Sequence, residues 1–112
     1  MLSNAHTLNL SLCISVTDVS MLGNVHTLAL SYTNVTDVSM LGNVHTLILS
    51  FTNVTDVSML GNVHSLNLHG CRGVTDVSML GNVHTLNLAG CTGVTDVSML
   101  GNVHTLIYRR GV

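Results

Sequence analysis

Hydrophobic positions along the chain recur with two different steps. From Val35 to Leu47 a valine or leucine occupies every third position, and Leu49 follows two positions later. A step of two is typical of a β-strand, whose side chains point alternately to opposite faces. Steps of three suit a tight 3-10 or extended path that keeps one side inward. The pattern therefore predicts a short strand at residues 46–50 and a return path with little room for an α-helix.

This pattern belongs to an internal repeat that fills nearly the whole chain. The block VTDVSMLGNVHTL occurs five times, at intervals of 19, 19, 20 and 20 residues, and its one substitution is Ser65. A single unit cannot bury its apolar edge, but stacked units can, and their strands then pair in parallel at a rise of roughly 4.8 Å. We expect one domain over residues 1–112 with about five turns. The turns begin near Asn4, Asn24, Asn43, Asn62 and Asn82, with a partial turn from Asn102.

The spacing within each turn resembles that of the leucine-rich-repeat family. The run from Val25 to Val35 reads VxxLxLxxTxV, which is similar to the family pattern LxxLxLxxNxL with Thr in place of Asn. The longer run from Val63 to Asp76 reads VxxLxLxxCxxVTD and resembles the cysteine-containing subclass of the family. The resemblance implies an α/β-type leucine-rich-repeat solenoid with a parallel β-sheet on its concave face. Because the turns are short, we expect extended or 3-10 segments on the convex face and little true α-helix.

The charge of the chain argues against several classes of partner. Charged residues make up 7% of the sequence, the net charge is -2, and the cations are Arg72, Arg109 and Arg110. This composition provides neither a basic face for nucleic acid nor a polybasic patch for a membrane. No apolar run approaches the ~20 residues that span a bilayer, and residues 1–14 lack the basic start of a secretory signal. We therefore expect an intracellular, cytoplasmic protein that binds neither nucleic acid nor a membrane.

One histidine precedes every predicted strand, so stacking would align these imidazoles about 5 Å apart. Imidazole is a ligand for zinc and copper, which makes a metal-binding row one interpretation. A straight row of parallel rings does not converge on one point as metal ligands must, so we expect neutral stacked rings, no metal ion and no cofactor. Protonating adjacent rings would place like charges together, which predicts a loss of stability near pH 5. The row consists of His6, His26, His45, His64, His84 and His104.

One aspartate follows Val-Thr in every turn, which offers a second row with two interpretations. A carboxylate at this position can accept backbone N–H groups and cap a short helical turn. Stacked carboxylates could instead bind calcium, but the rest of a calcium-binding repeat is missing, so capping is favoured. The row consists of Asp18, Asp37, Asp56, Asp76 and Asp96.

The cysteines and methionines also fall at repeated positions. Cys13, Cys71 and Cys91 match the turn position that the resemblance implies is buried, where other turns carry Thr33 and Thr52. A disulfide between Cys71 and Cys91 is conceivable, but two reduced thiols fit an intracellular chain better. The methionines lie outside the inward register, where they either fill gaps or form an adaptable, partly exposed surface. They are Met21, Met40, Met59, Met79 and Met99.

Positions that vary between repeats indicate where a partner would bind. They lie at the outward strand positions and just after the strands, and the resemblance implies that this concave face is the usual partner surface. Aromatic and aliphatic side chains there form a small apolar patch, which either anchors a partner or fills space in the tighter turns. The candidate partner-binding residues are Tyr32, Ile48, Phe51, Asn67, His69, Asn87 and Arg109.

These observations favour a protein-binding or scaffolding module with an unidentified protein partner. The alternative is a self-associating structural element, or a fragment of a longer repeat protein, because neither end of the sequence resembles a polar capping turn and end-to-end stacking is possible. An enzyme is not expected. Serine and histidine occur as repeated copies, whereas an active site needs one asymmetric group of residues.

Overall fold

Each repeat places a Thr-Leu or Ser-Leu pair in a short strand, and these strands form one parallel sheet. The computed structural model of the protein describes residues 6–108. Within this range the sheet contains six strands that pair in chain order, with the central leucine of each strand opposite the next. The predicted parallel solenoid is confirmed. The strands are β1 (Thr7–Asn9), β2 (Thr27–Ala29), β3 (Thr46–Ile48), β4 (Ser65–Asn67), β5 (Thr85–Asn87) and β6 (Thr105–Ile107).

Valines and leucines from successive turns form one continuous core along the axis of the solenoid. Strand leucines such as Leu28, Leu47 and Leu86 are fully buried, each with an exposed fraction of 0%. Burying a leucine side chain stabilises a fold by about 1.5–3 kcal/mol. The leucines of the outermost strands, Leu8 and Leu106, are only partly buried because each has a neighbouring strand on one side in the described range.

The return path is built from tight turns, as the three-residue steps predict. Within residues 6–108 the helical elements are three 3-10 turns, Ser58–Leu60, Ser78–Leu80 and Ser98–Leu100, and no α-helix occurs. In each of these turns the leucine is buried and the methionine before it is exposed. In this part of the chain no helix has the length and apolar character needed to cross a membrane.

Glycine in the repeated Gly-Asn pair allows adjacent turns to approach closely. A Cβ atom at Gly42 or Gly61 would lie 2.6 Å from the carbonyl oxygen of Met59 or Met79 in the next turn. Gly61 has φ -63° and ψ -19°, which any residue can adopt. The glycine is therefore required for the close approach of two backbones rather than for its conformational freedom.

The connections that follow the strands have two lengths. Four residues separate Leu30 from Val35 and Leu49 from Val54, and we call segments 31–34 and 50–53 the short connections. Five residues make up the long connections 11–15, 69–73 and 89–93. The short connections carry threonine where the long ones carry cysteine. The two kinds of connection therefore differ both in their number of residues and in the side chain at this position.

Two of the three cysteines follow the prediction and one does not. Cys71 and Cys91 are free thiols with exposed fractions of 0%, whereas Cys13 is exposed. The Sγ of Cys71 donates to the carbonyl oxygen of Leu49 at 3.0 Å, and that of Cys91 donates to Leu68 at 2.9 Å. Each thiol is therefore covered by the preceding turn. The predicted burial of Cys13 is wrong because it lies in the first described turn, where no described turn precedes it.

Candidate functional site

The outward positions of the strands form one row on the solvent face of the sheet. Alternation along β2 to β5 buries the central leucine and turns its neighbours outward, as predicted. The structure places Ile48, Asn67 and Asn87 side by side in register in this row. Arg109, the remaining candidate at this face, lies outside the described residues. The whole row is Asn9, Ala29, Ile48, Asn67, Asn87 and Ile107.

The asparagines of this row have a structural task that the sequence analysis missed. The Oδ1 atom of Asn67 accepts the backbone N–H of His69 at 2.9 Å, and Asn87 accepts that of Ala89 at the same distance. This bond to the residue two positions on is an Asx turn, a common use of asparagine just before a connection. The amide oxygens of these two asparagines are therefore engaged by their own turns.

An aromatic pair lies at the edge of the sheet face, in the short connections. The rings of Tyr32 and Phe51 stack with their centroids 5.0 Å apart and their planes 13° from parallel. The two side chains are nevertheless 51% and 42% exposed. Both residues have a left-handed backbone, with φ of 58° and 57°, a conformation that costs a non-glycine residue about 1–2 kcal/mol. Two rings are thus held in solvent by a strained backbone.

His69 extends this pair on the next turn. Its ring centroid lies 4.9 Å from that of Phe51, and the two planes are tilted by 50°. We call Tyr32, Phe51 and His69 the aromatic patch. Ile48 lies in the strand row between Ala29 and Asn67, three residues before Phe51 along the chain. The structure therefore brings three of the predicted candidates together in the aromatic patch and places Ile48, Asn67 and Asn87 along the adjoining sheet face.

Gly70 makes room for the ring of Phe51. It occupies the same position in its turn as Phe51 does one turn earlier, with φ 74°. A Cβ atom at Gly70 would overlap the Phe51 ring, whereas one at Gly90 in the following turn would meet Gly70 at an ordinary 3.4 Å. The ring therefore leans over the backbone of the next turn, a contact that the hydrophobic pattern could not predict.

The histidines form a stacked row in the repeated block, as predicted. Adjacent ring centroids are 4.5–4.6 Å apart and the planes are 10–12° from parallel. The Nδ1 of His26 lies 2.9 Å from the hydroxyl of Thr27, and the same pairing recurs in other turns. Desolvation, followed by repulsion from the neighbouring histidines, lowers the pKa values of His26 and His84. These contacts favour the neutral form of His26 and His84.

The aspartate row accepts backbone N–H groups, which confirms that part of the prediction. The Oδ1 of Asp56 accepts the N–H of Ser58, the first residue of a 3-10 turn, at 2.9 Å, and the other turns repeat the bond. Hydrogen bonds from Ser58 lower the pKa of Asp56. In the described part of the chain, no three histidine, cysteine or acidic side chains converge into a group that could hold a metal ion.

The methionines form an exposed row on the return path. Their exposed fractions range from 61% to 72%, so the interpretation that they fill gaps in the core is wrong. Shallow hollows separate successive members, for example between Met40 and Met59 and between Met59 and Met79. Because these hollows recur in register, they follow from the repeat itself.

Comparisons with known proteins show the fold. No protein-family profile matches the sequence, and no curated protein matches it. Among solved structures, the functional domain of InlJ from Listeria monocytogenes, which includes a cysteine ladder, aligns with a TM-score of 0.64 and 22% identity over 86% of this chain. Internalin C2 and internalin InlF of the same organism each align with a TM-score of 0.55, with 25% and 23% identity over 82% and 80% of this chain.

The chain spans only part of each of these proteins, namely 23% of InlJ, 56% of internalin C2 and 37% of InlF. At this level of identity the likeness concerns the architecture alone. Together with the parallel strands, the buried leucines and the tight return path, it shows a solenoid of the leucine-rich-repeat type.

Proposed function

We propose that this chain is a protein-binding module whose partner contacts the sheet face and is anchored on the aromatic patch. The observation that carries the proposal is the exposed stack of Tyr32 and Phe51, held at left-handed backbone positions. Aromatic side chains contribute a large share of binding energy at protein interfaces.

The rings are not needed to build the turns. At the same position, the two following turns carry Gly70 and Gly90 with φ of 74° and 73°. Glycine adopts this conformation without strain, so the repeat closes with no side chain there. Strained residues that the fold does not require are characteristic of functional sites. Leu12 is left-handed too, with φ of 70°, so the backbone strain is shared. The two stacked, exposed rings are what distinguish Tyr32 and Phe51, and they support a role outside folding.

The geometry also supports a non-enzymatic role and an intracellular location as parts of this proposal. The histidines and aspartates are used in the same way in turn after turn, whereas catalysis needs one asymmetric group. The buried free thiols of Cys71 and Cys91 fit a reducing compartment. Solenoids of this type commonly present their sheet surface to proteins.

The experiment that tests the proposal compares two alanine variants at equivalent positions. Phe51→Ala removes a ring of the patch, and Leu12→Ala truncates the left-handed residue of the first turn, which is 70% exposed and lies outside the patch. The wild-type chain is immobilised to capture proteins from its native cells, and each captured partner is then purified and titrated against the three chains.

We expect Phe51→Ala to weaken a specific partner at least tenfold, with a melting temperature close to that of the wild type, because Phe51 is already half exposed. Leu12→Ala should bind as the wild type does. A partner that binds all three chains equally would contradict the proposal. Light scattering on the same samples measures whether the chain self-associates, and a complex of the chain with itself alone would favour the structural alternative.

A further inference from the structure

A shallow hollow of about 350 Å³ lies beside the aromatic patch, where the short connection 50–53 meets the long connection 69–73. The two backbones cannot superimpose here because the second connection has one residue more. The mismatch opens space between the turns. Residues that line the hollow include Phe51, Asn53, Thr55, Gly70, Arg72 and Gly73.

This hollow departs from the repeat. The hollows between successive methionines recur with the same Met-Gly-Asn lining, turn after turn. Here, by contrast, no other turn carries Phe at the position of Phe51 or Arg at the position of Arg72. A surface that binds one partner group needs such an asymmetric feature, because an identical feature in every turn selects no single position.

The floor of the hollow is backbone and its walls differ in character. Gly70 lies under the ring of Phe51, and a Cβ atom at Gly73 would come within 2.9 Å of the methyl group of Thr55. Tyr32 stacks on Phe51 and supports it as an apolar wall. Arg72 is exposed and lines the same hollow. An apolar surface and a guanidinium group therefore meet within one small volume.

Charge makes this the place where an anionic group would be attracted. Arg72 is the sole lysine or arginine between residues 6 and 108. The carboxylates of the chain are committed elsewhere, since Asp56 accepts the N–H of Ser58 and Asp76 accepts that of Ser78 within their own turns. A guanidinium group can hold a carboxylate through two parallel hydrogen bonds.

We propose that the hollow binds an acidic side chain of the protein partner, with the partner's neighbouring apolar side chain packed on Phe51. This inference rests on the proposed function and names the chemistry that the partner must offer. The carboxylate pairs with Arg72. Asn53 and Thr55 are exposed at the rim and are available for hydrogen bonds with the partner backbone, whereas the hydroxyl of Thr52 is already bonded to Leu49 at 2.8 Å.

The probes are the capped dipeptides Ac-Glu-Phe-NH2 and Ac-Gln-Phe-NH2, which differ only in charge and in one hydrogen-bonding group. Backbone amide NMR shifts of the wild-type chain are followed during titration. We expect the Glu peptide to cause saturable shifts in segments 51–55 and 70–73, and to bind roughly tenfold more tightly than the Gln peptide, because an ionised pair forms stronger hydrogen bonds.

Three variants test the assignment to Arg72. Arg72→Gln should remove the preference for the Glu peptide, and Arg72→Lys should keep only part of it because the ammonium group lacks the planar fork. Arg72→Gln combined with Thr92→Arg moves the cation to the equivalent position one turn on, beside Gly90 and without an aromatic wall, and should not restore binding. The melting temperature of each variant checks that it is folded.

Equal binding of the two peptides, or unchanged binding of the Glu peptide by Arg72→Gln, overturns the inference. So do saturable shifts that fall outside the two segments. A captured partner that needs Phe51 but not Arg72 also overturns it while leaving the proposed function in place. A partner that needs neither residue contradicts the proposed function itself, so the two failures are distinguishable.

Discussion

The short connections and the long connections each contain a residue with a left-handed backbone, but they carry different side chains at that position. Segments 31–34 and 50–53 place Tyr32 and Phe51 at the left-handed position, whereas the long connections 69–73 and 89–93 place Gly70 and Gly90 there and 11–15 places Leu12 there. The buried valines and leucines on either side remain in register through both regions. The core of valines and leucines thus tolerates connections of either length. The edge of the sheet face, where Tyr32 and Phe51 lie, carries residues that the fold does not require.

The two regions also differ in how they satisfy the same carbonyl group. In a short connection the hydroxyl of Thr52 donates to Leu49 in its own turn at 2.8 Å. In the following long connection the thiol of Cys71 reaches back to that same carbonyl oxygen of the preceding turn at 3.0 Å. Cys71 and Cys91 therefore each link two turns, while Thr33 and Thr52 each bond to a carbonyl oxygen of their own turn.

Among the properties that depend on these connections, we expect the largest difference in the reaction rates of exposed and buried cysteine thiols. Burial raises the pKa of Cys91 from the ordinary value of 9.0 to about 11, and proximity to Cys71 adds to this. Two pKa units correspond to about a 100-fold lower thiolate population, and the thiolate is the reactive form. We expect a disulfide reagent to modify the exposed Cys13 rapidly in the native protein and to modify Cys91 at least about 100-fold more slowly. Cys71 should also react slowly, because the folded chain buries its thiol.

A Cys13→Ser variant provides the control, since it should lose the fast phase and keep the slow one. Unfolding the chain in urea should make the remaining thiols react at the ordinary rate of free cysteine. Rapid reaction of all the thiols under native conditions would show that the fold does not cover Cys71 and Cys91.

The contact between Phe51 and Gly70 joins the two regions, and a substitution there should have the next largest effect. Gly70→Ala places a Cβ atom at a left-handed residue and against the Phe51 ring, so we expect it to lower the unfolding free energy by roughly 2–4 kcal/mol. Gly90→Ala has a similar φ of 73° but ordinary space around it, and should lose only about 1–2 kcal/mol. Urea denaturation measures both values.

A double-mutant cycle separates backbone strain from steric overlap. When Phe51→Ala is combined with Gly70→Ala, the ring is absent, and the cost of the second substitution should fall to that of Gly90→Ala. If Gly70→Ala costs the same with and without the ring, the two connections are not coupled through this contact.

The repeated part of the turn could be predicted from the sequence, and the junction between unlike turns could not. Steps of three and two predict the buried face and the strand at Leu47, because these positions meet identical neighbours above and below. The close approach of the Phe51 ring to Gly70 depends on two consecutive turns of different length, which a pattern within one turn does not describe. The exposure of Cys13 and the Asx turn at Asn67 depend in the same way on position in the stack and on local hydrogen bonds.

The repeated glycines test whether the difference between the regions is confined to the connections. Gly42 follows a short connection and Gly81 a long one, and a Cβ atom at either would approach the carbonyl oxygen of the next turn, at 2.6 and 2.9 Å. We expect Gly42→Ala and Gly81→Ala each to lower the unfolding free energy by about 1–3 kcal/mol. Among the described residues, nothing lies within 4 Å of a Cβ atom at Gly101. Gly101→Ala should therefore be neutral or slightly stabilising, because alanine restricts the unfolded chain.

Denaturant midpoints at one temperature distinguish these outcomes. A large cost at Gly42 with none at Gly81 would mean that the close approach of the turns, and not only the connection, differs between the two regions. Equal costs at Gly42, Gly81 and Gly101 would show that the approach of the next turn is not the cause.

Measuring stability at acidic pH tests whether histidines that precede short and long connections behave alike. We expect the resulting change in unfolding free energy to be the smallest of those predicted. His26 precedes a short connection and His84 a long one, and desolvation and neighbouring rings lower both pKa values below the ordinary 6.5. The unfolded chain then binds protons more readily than the folded chain, so stability is greatest above pH 6.5 and falls as the pH drops through the lowered values. Hydrogen bonds from serine lower the pKa values of the aspartates from 3.8, so their contribution is lost only at more acidic pH.

Unfolding free energies measured between pH 7.5 and pH 5 therefore report the histidines. We expect a decrease across this range for the wild type, and a smaller decrease for His26→Gln and for His84→Gln, by similar amounts, because each variant removes one depressed titration and one repulsive neighbour. A pH dependence that disappears in one variant and persists unchanged in the other would show that the connections influence the repeated block. A flat profile for the wild type would mean that the exposed rings tolerate protonation even though His6 and His26 stack with their centroids 4.5 Å apart.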